Sequence, residues 1–454
     1  MIQSITALAT PPGISGLAIV RISGTEAIDI ADKCFSGKSK LSNSKSHTIH
    51  YGKFVFNGKL IDTVTASVFR EPNSFTGENS IEITCHGGTI VAGEIIRALI
   101  NSGAVLALPG EFTKRAFLNG KLDLAQVEAV ADIIHSVTEQ GSQTAARQLD
   151  GEFTQRLAGF REKLISIASH LELELDFADE DLKFTDNEKI ISEIKQSMDF
   201  CNNLSGSFRA SEILRSGYFV AILGYPNSGK STLFNTILNR KRAIVSEQPG
   251  TTRDYLEELI YIDGIAIKLI DTAGIRDTED LIEIEGIKMA ESIIKQSNLI
   301  LILNDLEKSA DNSSPLYKEI ENRFPENDIL YVQNKTDKIN NQKLEDIQRL
   351  EKNSVFISAK QKIGIEDLNK KISEFATKNT ERINDVMLNH RQVTLLNTSY
   401  LELSNALSAI KNKFGNEIIS LHIRNSAKFL GEITGENWNE DVLNSIFSRF
   451  CIGK

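Results

Sequence analysis

The sequence predicts a multidomain α/β and α protein. An α+β domain comes first, then a helical-bundle domain, with a third domain built on a mainly parallel sheet inserted into the helices. Three observations carry this. Residues 1–118 are short β-rich runs separated by Gly, Pro and Asn turns; apolar residues fall at helical spacing on both sides of a central region; and residues 217–375 alternate strand with helix, as a parallel sheet with crossover helices requires. The expected boundaries are 1–118, 119–215 and 377–454 for the two arms of the helical domain, and 216–376 for the insertion. A length of 454 residues has room for two to four domains.

Taking the elements in order, Gly16–Ile22 and Asp62–Phe69 read as strands, and Ile90–Ile100 reads as a helix between the Gly87-Gly88 and Ser102-Gly103 breakers. From about Leu122, Val127, Val130, Ile134 and Val137 fall on one helical face, and a long helical reading continues to about Phe177. A polar hinge at Asp179–Asp181 precedes more helix over Asn187–Leu214. Beyond Thr377 the chain reads as helix to Phe450.

Composition excludes several classes. Apolar residues make up 41% and charged residues 25%, which is ordinary for a soluble globular chain and rules out a disordered or collagen-like one. No run approaches the ~18 apolar residues that cross a bilayer, and the N-terminus has no basic-then-apolar leader, so no membrane association is expected. Cys34, Cys85, Cys201 and Cys451 form no CxxC pair, so neither a zinc site nor a disulfide framework is expected, and a reducing cytoplasm fits. The net charge of −10 excludes a general polyanion binder, so any nucleic acid must be held by a local patch. Residues 1–118, with 11 Lys+Arg against 9 Asp+Glu, are slightly basic.

The strongest motif is Gly224-Tyr225-Pro226-Asn227-Ser228-Gly229-Lys230-Ser231, a full G-x-x-x-x-G-K-S between an apolar run, Tyr218–Leu223, and a helical pattern opening at Thr232. Strand, glycine loop and helix in that order make a phosphate-binding P-loop. Glycines let main-chain N–H groups approach phosphate oxygens, and the helix N-terminus adds positive potential. Lys230 is placed to neutralise the β- and γ-phosphates, and Ser231 to ligate Mg²⁺.

Four further elements point to GTP rather than ATP. Asp271-Thr272-Ala273-Gly274 follows a strand, so Asp271 can hold Mg²⁺ through water and Gly274 can offer its N–H to the γ-phosphate. Asn334-Lys335-Thr336-Asp337 matches the guanine-reading N-K-x-D, whose Asp accepts from N1–H and the 2-amino group. Ser358-Ala359-Lys360 supplies a supporting loop, and Thr251-Thr252 lies in the expected switch region, with Thr252 a second Mg²⁺ ligand. D-T-A-G and S-A-K are weak patterns singly; their joint order and spacing give the nucleotide.

One position departs from the Ras-like pattern. Ile275 stands where a Gln orients the attacking water, and it cannot do so by hydrogen bonding. Glu283 is a candidate for holding that water, although acidic residues in such a segment are more commonly solvated.

These motifs resemble one family. The P-loop, Gly250-Thr251-Thr252-Arg253-Asp254, the D-T-A-G-I-R run with Glu283, and the ending Phe450-Cys451-Ile452-Gly453-Lys454 are similar to the MnmE (TrmE) family of tRNA-modification GTPases. So are Val20–Gly24, Asn73–Glu78, His86-Gly87-Gly88, Pro109–Thr113 and Ala116–Gln126, so the resemblance spans the chain. It implies a folate-binding N-terminal domain that also dimerises, a helical domain and an inserted Ras-like G domain. It also implies a homodimer that forms a heterotetramer with the FAD-binding partner MnmG. Together they would add a carboxymethylaminomethyl or aminomethyl group at C5 of the wobble uridine (position 34) of certain tRNAs, with a 5-formyl- or 5,10-methylene-tetrahydrofolate supplying the carbon.

By the same resemblance, Ser246, Glu247, Gln248, Pro249, Gly250, Thr251 and Thr252 line the nucleotide, and Asn227, Ser246, Gln248 and Thr251 cradle K⁺. A cation there neutralises developing phosphate charge. Pairing of two G domains would complete the site, with Glu283 positioning water and Lys230 and Thr252 as the other catalytic groups. Arg21, Glu78, Lys121 and Lys454 are implied to contact folate, and Cys451 to be a thiol near the one-carbon chemistry. A buried structural thiol is the alternative for Cys451, and His86 reads as structural. The competing function is a regulatory GTPase switch in ribosome or RNA assembly, which would have no need of folate contacts. A P-loop kinase is opposed by Asn334–Asp337.

Overall fold

The computed structural model describes residues 3–176, 187–225, 227–241, 256–271, 294–307, 322, 324, 327–351, 353–380, 385–448, 450 and 452–453. The chain divides into two compact units, Met1–Ala131 with Arg147–Ser197 and Thr398–Lys454, and Asp132–Ala146 with Met198–Asn397.

In the first unit a seven-stranded sheet runs in the order β3(Phe35–Gly37)-β4(Thr48–Phe56)-β5(Lys59–Phe69)-β6(Ser80–His86)-β2(Leu17–Ser23)-β1(Ile5–Leu8)-β7(Val105–Leu106). Its pairings are antiparallel except β1 with β7. Alternation sends Val20, Ile22, Phe54, Val64, Ala66, Val68, Ile81 and Ile83 into the core, where helices Ala27–Asp32 and Thr89–Asn101 add Ile30, Ile95 and Leu99.

The expected long helix beyond Leu122 is three: Leu124–His135, Glu139–Leu149 and Glu152–Asp176. Gly151, with φ of 93°, takes the left-handed conformation that ends a helix cheaply, so propensity on either side does not carry through. Helix Glu152–Asp176 packs along helix Asn416–Thr434, where the Glu172 carboxylate accepts from Ser420 Oγ (2.7 Å) and pairs with Arg424. Leu124, Val127 and Val130 join Leu443, Phe447 and Phe450 in a second core.

The second unit holds a six-stranded sheet, β13(Ser354–Phe356)-β12(Asp328–Asn334)-β11(Leu299–Asp305)-β8(Tyr218–Gly224)-β10(Ile265–Asp271)-β9(Leu256–Ile262). Only the β9 edge is antiparallel. Every residue of β11 is buried, as a central strand covered on both faces must be. The unit also takes in residues 132–146 and helix Phe208–Ser216. Arg215 binds the Asp132 carboxylate (2.5 and 2.8 Å), Thr138 donates to the Leu214 carbonyl (2.9 Å), and the Tyr261 hydroxyl donates to the Val137 carbonyl (2.7 Å).

Candidate nucleotide and folate sites

Four parallel strands bring their carboxyl ends to one edge of the second sheet. β8 ends at Gly224, β10 at Asp271, β11 at Asp305 and β12 at Asn334, with Asp271 level with Ile222, Leu303 with Gly224, and Asp305 with Asn334. Ligands of open α/β sheets bind at such an edge. The P-loop leaves β8 here and enters helix Lys230–Lys241. Its shape needs its glycines: Gly229 has φ of 99°, and a Cβ there would run into the Asn334 amide. Asn227 is also left-handed, with φ of 64°. Lys230 Nζ donates to the carbonyls of Gly224 and Tyr225 (both 3.1 Å), which lays its stem along the loop. Ser231 and Thr232 are exposed on the first helical turn.

Asn334 joins this loop to the others. Its buried amide donates to the Ser228 carbonyl (2.8 Å) and its Oδ1 accepts from the Ala359 main chain (3.0 Å). Ser358 Oγ donates to Asp337 Oδ1 (2.6 Å), leaving Oδ2 without a partner among the described residues. Lys335 is left-handed, with φ of 67°, and its Nζ reaches Asp305 Oδ2 (2.6 Å). Lys360 is exposed. The structure therefore assembles Ser228, Gly229, Lys230, Asp271, Asn334, Lys335, Asp337, Ser358 and Ala359 at one sheet edge. Sequence reasoning missed Asp305, although a strand-ending acid level with Asn334 is the same kind of signal that singled out Asp271.

Thr272, Ala273, Gly274, Ile275 and Glu283 lie outside the described residues, as do Ser246, Glu247, Gln248, Pro249, Gly250, Thr251 and Thr252. So do Cys451 and Lys454.

In the first unit Arg21 pairs with Glu82 directly across the β2–β6 ladder (Nε 3.0 Å, Nη2 2.7 Å), its guanidinium over the Phe75 and Phe112 rings at 5.3 and 5.6 Å. Glu78 accepts from Ser23 Oγ (2.9 Å) and from Arg115 Nη1 (3.2 Å to each oxygen). Arg115 also holds Glu111 (2.8 Å). Lys121 is exposed, and its stem lies near Gly77, beside the bond from Asn119 Nδ2 to the Thr76 carbonyl (2.7 Å). Near the C-terminus, Gly453 is buried with φ of 99°, and a Cβ there would collide with the Leu8 carbonyl. Leu8 follows Ala7, which pairs with Arg21. Glu82 and Arg115 were missed as partners. No local signal marks Glu82, whereas the Glu111–Arg115 spacing of four is visible in the sequence.

His86 binds Asp62 through Nδ1 (2.8 Å) and through its main-chain N–H (2.8 Å). Burial alone would raise the Asp62 carboxyl, but the bonds from His86 and Thr63 outweigh it and hold the group below its ordinary range. Among the described residues no three His, Cys, Asp or Glu side chains cluster as metal ligands, and no helix is long and apolar enough to cross a membrane.

The sequence profile described as GTP-binding protein TrmE N-terminus matches residues 4–121, and that described as MnmE helical domain matches residues 124–451. The tRNA modification GTPase MnmE of Flavobacterium psychrophilum is 41% identical, covering 100% of this chain and 99% of the relative. That of Flavobacterium johnsoniae is 42% identical over the same shares. The chain belongs to the MnmE family of tRNA modification GTPases. As an MnmE-family protein it is a GTPase, with an N-terminal TrmE domain, a helical domain and a Ras-like G domain. The solved structure of Aquifex aeolicus Era bound to GDP·AlF4⁻ is 26% identical over 40% of this MnmE-family chain and 66% of that one, with a TM-score of 0.28.

Proposed function

We propose that this GTPase, as a cytoplasmic homodimer assembled with the FAD-binding MnmG, adds a carboxymethylaminomethyl or aminomethyl group at C5 of uridine 34 of certain tRNAs, using a tetrahydrofolate one-carbon unit. The observation that carries the reading is the seat of Gly453 against Leu8. It sets Gly453 beside the strand pair bearing Arg21, which supports a folate met by Arg21 and Glu78. Arg21 suits the glutamate-tail carboxylates, and Glu78 suits the donors of the pterin ring.

The nucleotide edge fits GTP. The close approach of Gly229 to the Asn334 amide leaves no room for a side chain there, Lys230 can exchange its two carbonyl partners for β- and γ-phosphate oxygens, and Asp337 Oδ2, without a partner among the described residues, suits guanine donors. Ser231, with Thr252 and with Asp271 through water, would hold Mg²⁺, which supplies charge neutralisation. Asn227 supports the K⁺ assignment, with Ser246, Gln248 and Thr251 as the other ligands. Glu283 would position water in place of the missing Gln.

The test is reconstitution of the full chain with MnmG, 5,10-methylene-tetrahydrofolate, GTP, Mg²⁺, K⁺ and substrate tRNA. Modified uridine is expected, with loss on omitting folate and in Lys230→Ala. Modification that persists without folate would overturn the one-carbon assignment. Equal GTP turnover in K⁺ and Na⁺, in both wild type and Asn227→Ala, would overturn the cation role.

A further inference from the structure

Strand β11 ends in a carboxylate, Asp305, whose side chain is 8% exposed. It lies level with Asn334, the first residue of the N-K-x-D motif, across the parallel β11–β12 pair. Both of its oxygens are engaged. Oδ1 accepts the Glu307 main-chain N–H (3.0 Å), and Oδ2 accepts from Lys335 Nζ (2.6 Å). The Asp305 N–H donates to Asn304 Oδ1 (3.0 Å), and Asn304 Nδ2 donates to Gln333 Oε1 (2.9 Å), so buried side chains fix the strand end that carries the carboxylate. The Leu306 N–H closes the same corner on the Asn334 carbonyl (3.1 Å). With both oxygens taken up by the protein, Asp305 acts on the site through Lys335.

Lys335 precedes the short 3-10 turn Thr336–Lys338 that carries Asp337, and its φ of 67° is left-handed. Its ammonium, on a flexible four-carbon stem, starts two residues from the Asp337 carboxylate. Asp337 has Oδ1 on the Ser358 hydroxyl (2.6 Å) and Oδ2 without a partner among the described residues. An ammonium is a strong competitor for that oxygen, because a bond between two charged groups outweighs one from the neutral N–H donors of a base. Burial decides which acid holds the cation. Asp305 is buried and Asp337 half-buried, so an unpaired charge costs more at Asp305.

We propose that Asp305 is a positioning residue for guanine selectivity: by holding the Lys335 ammonium, it keeps Asp337 Oδ2 for the N1–H and 2-amino donors of guanine. The inference rests on the reading of Asp337 as the guanine acceptor. Removing the Asp305 charge releases the ammonium to Asp337. Guanine then loses an acceptor for its two donors, while the Lys230 end of the site keeps its own partners.

The test measures the affinities of the full chain for GDP and for IDP, whose hypoxanthine base keeps N1–H and lacks the 2-amino group. Wild type is expected to prefer GDP, because a site built for two donors binds a base with one of them less well. Asp305→Asn keeps an acceptor for the Glu307 N–H and removes the charge. It should weaken GDP about tenfold or more and IDP less, so that the GDP-to-IDP preference falls about threefold or more. Adding Lys335→Met to Asp305→Asn leaves a stem without its charge and should return the preference to that of wild type. Asp305→Ser is carried beside Asp305→Asn, with melting temperature checked in each, so that one misfolded variant does not end the test. Equal weakening of GDP and IDP in the Asp305 variants, or none, would make the ion pair a structural one and overturn the proposal. A lowered preference that persists after Lys335→Met would overturn it too, since the released ammonium is then not the cause. Equal affinity of wild type for GDP and IDP would overturn Asp337 as the acceptor of the 2-amino group, and the proposal with it.

Discussion

In the nucleotide domain the side chain at the centre of the candidate site, Asn334, is bonded to main chain on both sides, to Ser228 and to Ala359. In the N-terminal domain the central groups, Arg21 and Glu78, are bonded to charged side chains, Glu82 and Arg115. The first arrangement fixes loops, with Lys230 held on P-loop carbonyls and Asp337 on the Ser358 hydroxyl. The second neutralises its charges internally, so a ligand there must share or displace an existing partner. Main-chain fixing makes a site rigid before ligand arrives, whereas charge pairing makes its polarity depend on every member of the network.

Breaking the charged network should have the largest effect. The Arg115 and Glu78 side chains are 9% and 17% exposed, so Arg115→Ala leaves Glu78 and Glu111 without their cation in a mostly dry setting. The expected cost is about 3–5 kcal/mol. It should appear as faster hydrogen exchange in strands Leu17–Ser23 and Ser80–His86, with the G-domain strands unaffected. Arg115→Lys should recover part of it. Unchanged exchange in Arg115→Ala would mean that the pairing does not hold this domain together.

The matching experiment in the nucleotide domain is Asn334→Ala. It strips partners from one carbonyl and one N–H, both inside the protein, at about 2–3 kcal/mol. If this loss falls on the nucleotide-ready loop, GTP affinity drops about 30-fold or more. Asn334→Asp restores the acceptor for Ala359 but sets a carboxylate against the Ser228 carbonyl, so it should not rescue binding. Wild-type GTP affinity in both variants would show that the loops hold their places without the amide.

Gly453 sharpens the comparison, because it ties the N-terminal domain to the chain's far end through main-chain packing. A side chain there meets the Leu8 carbonyl and an unfavourable φ together, so Gly453→Ala should cost about 1–3 kcal/mol and weaken folate binding. Ile452→Ala, at a 53% exposed neighbour, is the control and should change little. Equal folate affinity in the two variants would separate the C-terminal seat from the folate site.

The two sites were not equally legible in the sequence, and the reason is the same contrast. P-loop, N-K-x-D and S-A-K are contiguous strings whose glycines and strand ends force a local shape, so their convergence at one sheet edge followed from strand–helix alternation. Arg21–Glu82 is a cross-strand pair between residues far apart in the chain, and Glu78–Arg115 joins a strand-flanking turn to a helix, so neither could be read without register. The breaks in the helical region were missed because apolar spacing continued across them, while a single left-handed Gly151 ended one helix and let the next begin.

The smallest effect separates the two regions by pH. Cys85 in β6 is buried, and burial, reinforced by the negative charge of Asp62, pushes its thiol up to about 11 from 9.0. Because the folded state keeps this proton longer than the unfolded chain, its contribution to stability is fully present below about pH 9. It is lost as pH rises through about 11. The N-terminal sheet should therefore soften over that window, seen as hydrogen exchange in Ser80–His86 rising beyond the intrinsic base-catalysed increase. Cys85→Ser tests the cause, since serine does not ionise in this range and should flatten the excess. If the excess softening between about pH 9 and 11 is the same in wild type and Cys85→Ser, the thiol is not its source.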